Sequence, residues 1–333
     1  MNPQPFCSHP DGLALQVMQD GSSLIVDHME RGRWTLRDGN PAELRLEGHG
    51  RGTCEAELLA VLETAFAQHP QHDRLTVAAP LAATSPLLAS GHIERLPHGT
   101  LAVSRQALWQ LPRLWRPVVA EAAPLQYTLT QGRRHPRRPP KPHGVLYRRH
   151  IPGLGRTFSL RTVHLEDDLA TFHRWMNDPV VDHFWQEAGS LDHHRAYLGA
   201  NAADPHTQGL IGCFDGEPFS YIEAYWAKED RIAPFCDAAD HDRGWHVLVG
   251  EPAFRGRPWV AAWMPSVAHW LFLDDCRTQR VVIEPRADNQ KMLTSLARCG
   301  YALVKEFDFP HKRAMLGVLA RERFFAEAGW VPR

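Results

Sequence analysis

Gly244-Trp245-His246-Val247-Leu248-Val249-Gly250-Glu251, followed by Pro252-Ala253-Phe254-Arg255-Gly256-Arg257-Pro258-Trp259, is the stretch on which the fold turns. A short apolar run closed by glycines reads as a buried strand. A loop with one glycine and two arginines comes next. Apolar residues at helical spacing then run from Trp259 to Leu273, in spite of Pro265. Backbone N–H groups at a helix start collect anions, and arginine adds charge and bidentate hydrogen bonds. Arg255, Gly256 and Arg257 are therefore candidate holders of a phosphate-bearing ligand; an ordinary strand-to-helix turn with surface arginines has the same outline. His246 sits inside the strand. It can be a structural imidazole or a general base facing a cleft.

On the C-terminal side the sequence predicts a strand over Arg280–Glu284, a helix over Asn289–Arg298 closed by Gly300, and strands near Ala302–Asp308 and Arg313–Leu319. Alternation puts Glu306 and Asp308 on the face opposite Phe307 and Phe309. Such carboxylates can bind a cationic amine or orient a base; a solvated hairpin end has the same pattern. On the N-terminal side the sequence predicts a strand over Thr157–Leu165, a helix over Asp167–Asn177 stopped by Asp178-Pro179, and a helix over Leu191–Ala200. A hairpin of Gly209–Phe214 and Pro218–Trp226 turns at Asp215-Gly216. Ser220, Glu223, Tyr225 and Trp226 bring an acid and aromatics to this second strand. They can line a substrate pocket or pack on neighbouring strands.

Gln131–Arg149 breaks the texture of the chain, with four prolines and many basic side chains. It reads as an extended connector. The expected organisation is an N-terminal α+β domain over 1–130, a Pro/Arg-rich linker over 131–150 and a second domain over 151–333. In the first domain the sequence predicts strands within Leu13–Val26 and Arg33–Leu46, a helix over Glu55–Gln68, a strand over Arg74–Ala79 and a short helix near Ser104–Trp109. No catalytic motif stands out there.

The bulk numbers bound the answer. The chain has 333 residues, of which 44% are hydrophobic, enough for two cores. The 37 basic and 38 acidic side chains nearly cancel, which argues against a general nucleic-acid binder. No apolar run is long enough to span a membrane. The start lacks a signal-peptide pattern, and the six cysteines show no C-x-x-C pair, so a cytoplasmic protein with reduced thiols is expected. The 20 histidines include no H-x-x-x-H on a clear helix, so no metal site is expected.

Taken together, these segments resemble the siderophore-biosynthesis acyltransferases of the GNAT fold. The likeness lies in Arg174-Trp175-Met176-Asn177-Asp178-Pro179, Phe184-Trp185, Leu210 to Asp215, Pro218-Phe219-Ser220-Tyr221, Asp242 to His246, Leu248 to Glu251, Arg277 to Arg280, Glu284-Pro285-Arg286, Asp288-Asn289-Gln290 and Lys305 to Arg313. It spans roughly 138–325. It implies an α/β (α+β) GNAT acyltransferase fold preceded by an additional α+β domain. It also implies direct acyl transfer from acyl-CoA to an N-hydroxylated amine, giving a hydroxamate.

In that resemblance His246 and Asp308 are catalytic, and Val247, Leu248, Val249, Arg255, Gly256, Arg257 and Asn289 meet the coenzyme. Ser220, Glu223, Tyr225, Trp226 and Glu306 are the candidate substrate contacts. Acetyl-CoA with N6-hydroxylysine is the first expectation. Succinyl-CoA with N-hydroxyputrescine or N-hydroxycadaverine is the alternative, and a non-catalytic acyl-CoA-binding protein is a third. Succinyl would need a cation for its second carboxylate, with Arg286, Lys312 and Arg313 as candidates. The partners expected are these small molecules, with no nucleic acid and no membrane; a homodimer is compatible with the sequence.

Overall fold

Period-two burial and tight glycine turns build two mixed sheets, one in each half of the chain. The computed structural model describes residues 5–27, 32–48 and 53–327. It divides into two compact units. The first takes 1–119 with 147–157, and the second takes 120–146 with the chain from 158 onward.

In the first unit, β1 (Phe6–Ser8), β2 (Leu15–Asp20), β3 (Ser23–Asp27), β4 (Gly32–Arg37) and β5 (Ala42–Leu46) form an antiparallel meander. Helix α1 (Glu55–Gln68) then crosses to β6 (Arg74–Ala78), which pairs parallel with β5. Two short helices, α2 (Pro86–Ala89) and α3 (Arg105–Leu108), flank β7 (Glu94–Arg95) and β8 (Leu101–Ser104). Helix α1 is buried almost continuously from Glu57 to Phe66, so it serves as the core element of this unit. The strand order is β1-β2-β3-β4-β5-β6-β8-β7.

The second unit opens with a two-stranded arm, β9 (Tyr127–Thr130) and β10 (Arg133–Pro136). Strand β11 (Val145–Ile151) falls mostly in the first unit; the main sheet of the second holds β12 (Arg156–Thr162), which enters it at Phe158, β13 (Thr207–Phe214), β14 (Glu217–Trp226), β15 (Arg243–Val249), β16 (Arg280–Ile283), β17 (Ala302–Asp308) and β18 (Arg313–Ala320). Helices α4 (Leu165–Met176), α5 (Pro179–Trp185) and α6 (Leu191–Ala203) lie between β12 and β13, and α7 (Ala233–Cys236) follows β14. Helix α8 (Arg257–Asp274) connects β15 to β16, α9 (Gln290–Arg298) leads to β17, and α10 (Arg321–Ala326) follows β18. The order from β12 onward is β12-β13-β14-β15-β16-β18-β17.

The two sheets repeat one topology, with the single parallel pair at the same place, bridged by α1 in one unit and α8 in the other. The parallel pairs differ in extent. β5 and β6 stay in register over four positions, Ala42↔Leu75 to Arg45↔Ala78. β15 and β16 pair only at Arg243↔Val281 and Gly244↔Val282, and then diverge. A parallel pair that splays leaves backbone groups of one strand facing a gap. Only the second unit has that gap.

Two stretches differ from what the sequence predicts. Asp178-Pro179 ends α4 but also starts α5: the Asp178 carboxylate accepts the Val180 N–H at 2.8 Å, and proline takes the first helical position, where its missing N–H is harmless. The 131–150 stretch, expected to be an extended connector, carries β10 and most of β11. Its arm turns at Gln131-Gly132, both at positive φ. Arg138 is buried in an ion pair with Glu229. The basic residues there have specific partners, which sequence texture alone does not reveal.

Candidate active site

Strand pairing places the two best-supported polar residues opposite each other. Glu223 on β14 is the cross-strand partner of His246 on β15, so both side chains leave the same face of the sheet. The His246 Nδ1 lies 3.2 Å from Glu223 Oε2. Its Nε2 lies 2.7 Å from Glu284 Oε1, just past the end of β16. Glu284 is completely buried and also accepts the Tyr225 hydroxyl at 2.8 Å. Glu223 accepts from Tyr197 at 2.6 Å, Tyr221 at 3.0 Å and Asn201 at 3.1 Å, all on Oε1.

Gly244 explains why the strand begins with glycine. A Cβ there would overlap the ring of Tyr225, which lies across the backbone and aims its hydroxyl at Glu284. Gly250 does the same for Trp175, whose indole N–H donates to Glu251 at 2.8 Å.

The electrostatics follow from this enclosure. Burial alone would drive the His246 imidazole toward neutrality. The charge of Glu284 and the hydrogen bonds from both carboxylates outweigh it and push its pKa up to about 10. Burial raises both carboxyls, yet the His246 charge and hydrogen bonds hold Glu223 and Glu284 below the usual range. At neutral pH the cluster is therefore a carboxylate–imidazolium–carboxylate bridge. Lys312 approaches Glu284 at 3.8 Å and Arg231 at 3.5 Å. Asp230 is pushed up by burial and by the nearby Glu284 charge.

This bears on the base expected at His246. Both ring nitrogens donate to carboxylates, so the imidazolium has no lone pair with which to take a proton. In this state its chemistry is to hold two buried acceptors in fixed positions.

The open edge of β15 is the second part of the site. In antiparallel pairing, alternate residues bond toward the neighbour, and Gly250 donates to Phe219 of β14. Residues 246, 248 and 250 thus bond toward β14, and 245, 247 and 249 face the side that β16 vacates. The Val247 carbonyl there accepts from Trp185 Nε1 at 3.3 Å, and the Val249 carbonyl from Arg255 Nε at 3.0 Å. By the same alternation the N–H groups of Val247 and Val249 point to this side of the strand. Leu248, expected to meet the coenzyme, instead pairs with Tyr221 and buries its side chain in the core.

The loop after β15 leads into α8. Gly256 occupies its N-cap with φ 124°, a conformation that favours glycine, and Arg257 is exposed in the first turn. Arg255 is turned inward: besides Val249 it binds the Gly250 carbonyl at 3.2 Å and Asp178 at 3.1 Å. It shapes the loop and is not directed outward at a phosphate. Asn289 caps α9 through its side-chain oxygen, 3.2 Å from the Met292 N–H.

The remaining expected residues fall elsewhere. Asp308 ends the edge strand β17 with its side chain 71% exposed, 3.9 Å from Arg313. Neither a hydrogen bond nor an ion pair joins it to His246 among the described residues. Glu306 is exposed and paired with Arg313 at 2.6 Å. Trp226 is buried, with the guanidinium groups of Arg138 and Arg243 over its ring at 4.1 and 4.0 Å from the centroid. Ser220 is fully buried. Glu284 and Tyr197 are central and were not singled out from sequence as site residues. Glu284 had a signal, standing within Glu284-Pro285-Arg286 at the end of a strand.

Comparison with known proteins decides the family. A model described as an acetyltransferase (GNAT) domain matches residues 164–309. The N(6)-hydroxylysine O-acetyltransferase of Escherichia coli is 45% identical over 229 residues, 68% of this chain and 72% of that protein. The chain belongs to the GNAT acyltransferases. The N(5)-hydroxyornithine:cis-anhydromevalonyl coenzyme A-N(5)-transacylase SIDF of Beauveria bassiana is 44% identical over 219 residues. That match covers 61% of this chain and 48% of that larger protein. Among solved structures, an uncharacterized protein from Bacillus halodurans is similar with a TM-score of 0.54 and 28% identity, covering 57% of this chain and 96% of that one. This GNAT chain stands with the siderophore-type acyltransferases that act on hydroxylated amines. No helix among its described residues is long and apolar enough to cross a membrane.

Proposed function

We propose that this enzyme transfers an acyl group from acyl-CoA to the nitrogen of an N-hydroxylated amine, with N6-hydroxylysine and acetyl-CoA as the leading pair. The observation that carries the proposal is the buried Glu223–His246–Glu284 bridge beside the splayed edge of β15. The thioester lies along that edge, its carbonyl oxygen taking hydrogen bonds from the N–H groups of Val247 and Val249 as charge develops. The pyrophosphate rests at the start of α8, near Gly256 and the exposed Arg257. Asn289 borders the coenzyme from α9.

A hydroxylamine nitrogen is far less basic than a lysine amine, whose pKa is about 10.4. It is mostly neutral at pH 7 and needs no strong base. Fixed acceptors for its N–H and O–H matter more. His246, as imidazolium, holds Glu223 in that role and is itself anchored by the buried Glu284. The C–N bond forms, the C–S bond breaks, and the nitrogen's proton ends on the thiolate as free coenzyme A. Asp308, exposed at the end of β17, meets the charged end of the amine.

The acyl group is the smaller one. The three cations that could receive a succinyl carboxylate are each already paired: Arg286 with Asp288 at 2.8 Å, Lys312 with Glu284, and Arg313 with Glu306. Breaking such a pair for a second carboxylate would forfeit its charge-assisted bonds. Thiol release from acetyl-CoA and succinyl-CoA, each with N6-hydroxylysine, N-hydroxyputrescine, N-hydroxycadaverine and lysine, tests the proposal. Acetyl-CoA with N6-hydroxylysine should be fastest. Faster release with succinyl-CoA, or with plain lysine, rejects the stated pair; no release with any amine rejects the enzyme reading in favour of coenzyme binding alone.

A further inference from the structure

His135, His206 and Glu229 come from three separate elements of the second unit: strand β10, the turn before β13, and the turn after β14. One ligand atom from each lies within 4.8 Å of the other two. His135 Nδ1 is 2.8 Å from Glu229 Oε1, and His206 Nδ1 is 3.3 Å from the same oxygen. Ligand atoms about 2.0–2.1 Å from a tetrahedral zinc stand roughly 3.3 Å apart, so small shifts would close this set on an ion.

Two further observations point to a ligand. Both ring nitrogens of His206 are buried: among the described residues Nε2 has no hydrogen-bond partner, and Nδ1 meets only Glu229 Oε1 at 3.3 Å, outside hydrogen-bond geometry. His135 is 1% exposed, and its Nε2 is 2.9 Å from Thr130 Oγ1, the kind of outer contact that fixes a ligating imidazole with its other nitrogen inward. None of this overlaps the acyl-transfer site.

We propose that these three side chains bind one divalent transition-metal ion, of the zinc class that accepts two imidazoles and a carboxylate, with a fourth position for water. The ion would join the β9–β10 arm to the turns at the ends of β13 and β14. Arg138 is part of the arrangement: its Nε and Nη2 donate to Glu229 Oε1 and Oε2 at 2.5 and 2.7 Å. One lone pair of Oε1 is left for the metal. The guanidinium charge opposes the ion, so binding is weaker than in an all-cysteine structural site. Pro136 O, 2.8 Å from His135 Nδ1, gives up that contact when the imidazole turns to the metal.

The test is calorimetric titration of chelator-stripped full-length protein with ZnCl2, with MgCl2 as control, alongside thermal melting. One equivalent of Zn2+ should bind and Mg2+ should not. The melting midpoint should rise by about 5–10 °C at a hundredfold excess over Kd. His206→Phe keeps a ring of similar shape but offers no ligand. It should lose at least tenfold in affinity and most of the thermal shift, while keeping acyl transfer. His135→Gln should lose binding as well. Substoichiometric or absent binding in the wild type overturns the proposal. So does equal binding by His206→Phe, which would assign the zinc to other histidines.

Discussion

Glu284→Gln removes one charge from the bridge while keeping its shape, and the effect can be worked from the geometry. His246 Nε2 lies 2.7 Å from Glu284 Oε1. Taking the charge centres at about 4 Å, a pair near an effective dielectric of 20 interacts by about 4 kcal/mol. At 1.36 kcal/mol per unit, that is close to 3 units of pKa. The His246 pKa should therefore fall from about 10 toward roughly 7 in the variant. Heteronuclear NMR titration of the imidazole reads this directly.

Stability should follow with a definite sign. The folded pKa of His246 is raised above its ordinary 6.5, so its contribution is full below that value and fades as pH climbs through about 10. Glu223 and Glu284 are lowered from 4.5, so theirs is full above that value and fades in acid. Urea midpoints of the wild type should thus be highest between about pH 4.5 and 6.5, fall in acid, and fall steadily from about 6.5 to 10. In Glu284→Gln, with the folded and unfolded imidazole nearly matched, the alkaline fall should largely disappear. A wild-type imidazole that titrates near 6.5, or a variant whose imidazole does not move, refutes the bridge.

Other outcomes follow from the same contacts. Gly244→Ala should push the Tyr225 ring off the strand and destabilise the protein by about 1–3 kcal/mol, seen as a lower urea midpoint with unchanged slope. His246→Ala should reduce kcat by about 100-fold, because two buried carboxylates then lose the cation that fixes them; a loss below fivefold in steady-state assays contradicts that role. Asp308→Asn should raise KM more than it lowers kcat, since the proposed role of its exposed carboxylate is to bind the amine's charged end; the reverse split would place it at the reacting atoms.

Much of the second unit was legible in the sequence because its elements carry strong local signals. Asp215-Gly216 fixes the β13–β14 turn, and the apolar run after Gly244 fixes β15. Helix α8 tolerates Pro265 because it is buried along most of its length, so packing overrides the local cost. The pairing of His246 with Glu223 follows from strand register, which the hairpin signal hints at but cannot fix between β14 and β15. Glu284 was less visible: its role depends on β15 and β16 coming together at Gly244 and then parting, a long-range event. Leu248 lies one residue of alternation from the gap-facing positions, and Trp226 packs against two arginines distant in sequence, neither of which local pattern shows. In the first unit the meander and α1 were visible. Its repeat of the second unit's topology was not, because strand order leaves no trace in local pattern. The β5–β6 pair there stays in register over four positions, Ala42↔Leu75 to Arg45↔Ala78.

The most direct measurement mixes purified protein with acetyl-CoA and N6-hydroxylysine and follows two products in one sample: free thiol, and the coloured complex that a hydroxamate forms with ferric iron. Acylation at nitrogen predicts equal amounts of both, growing at the same rate. Thiol appearing without the ferric colour would mean that oxygen or water, and not nitrogen, receives the acyl group.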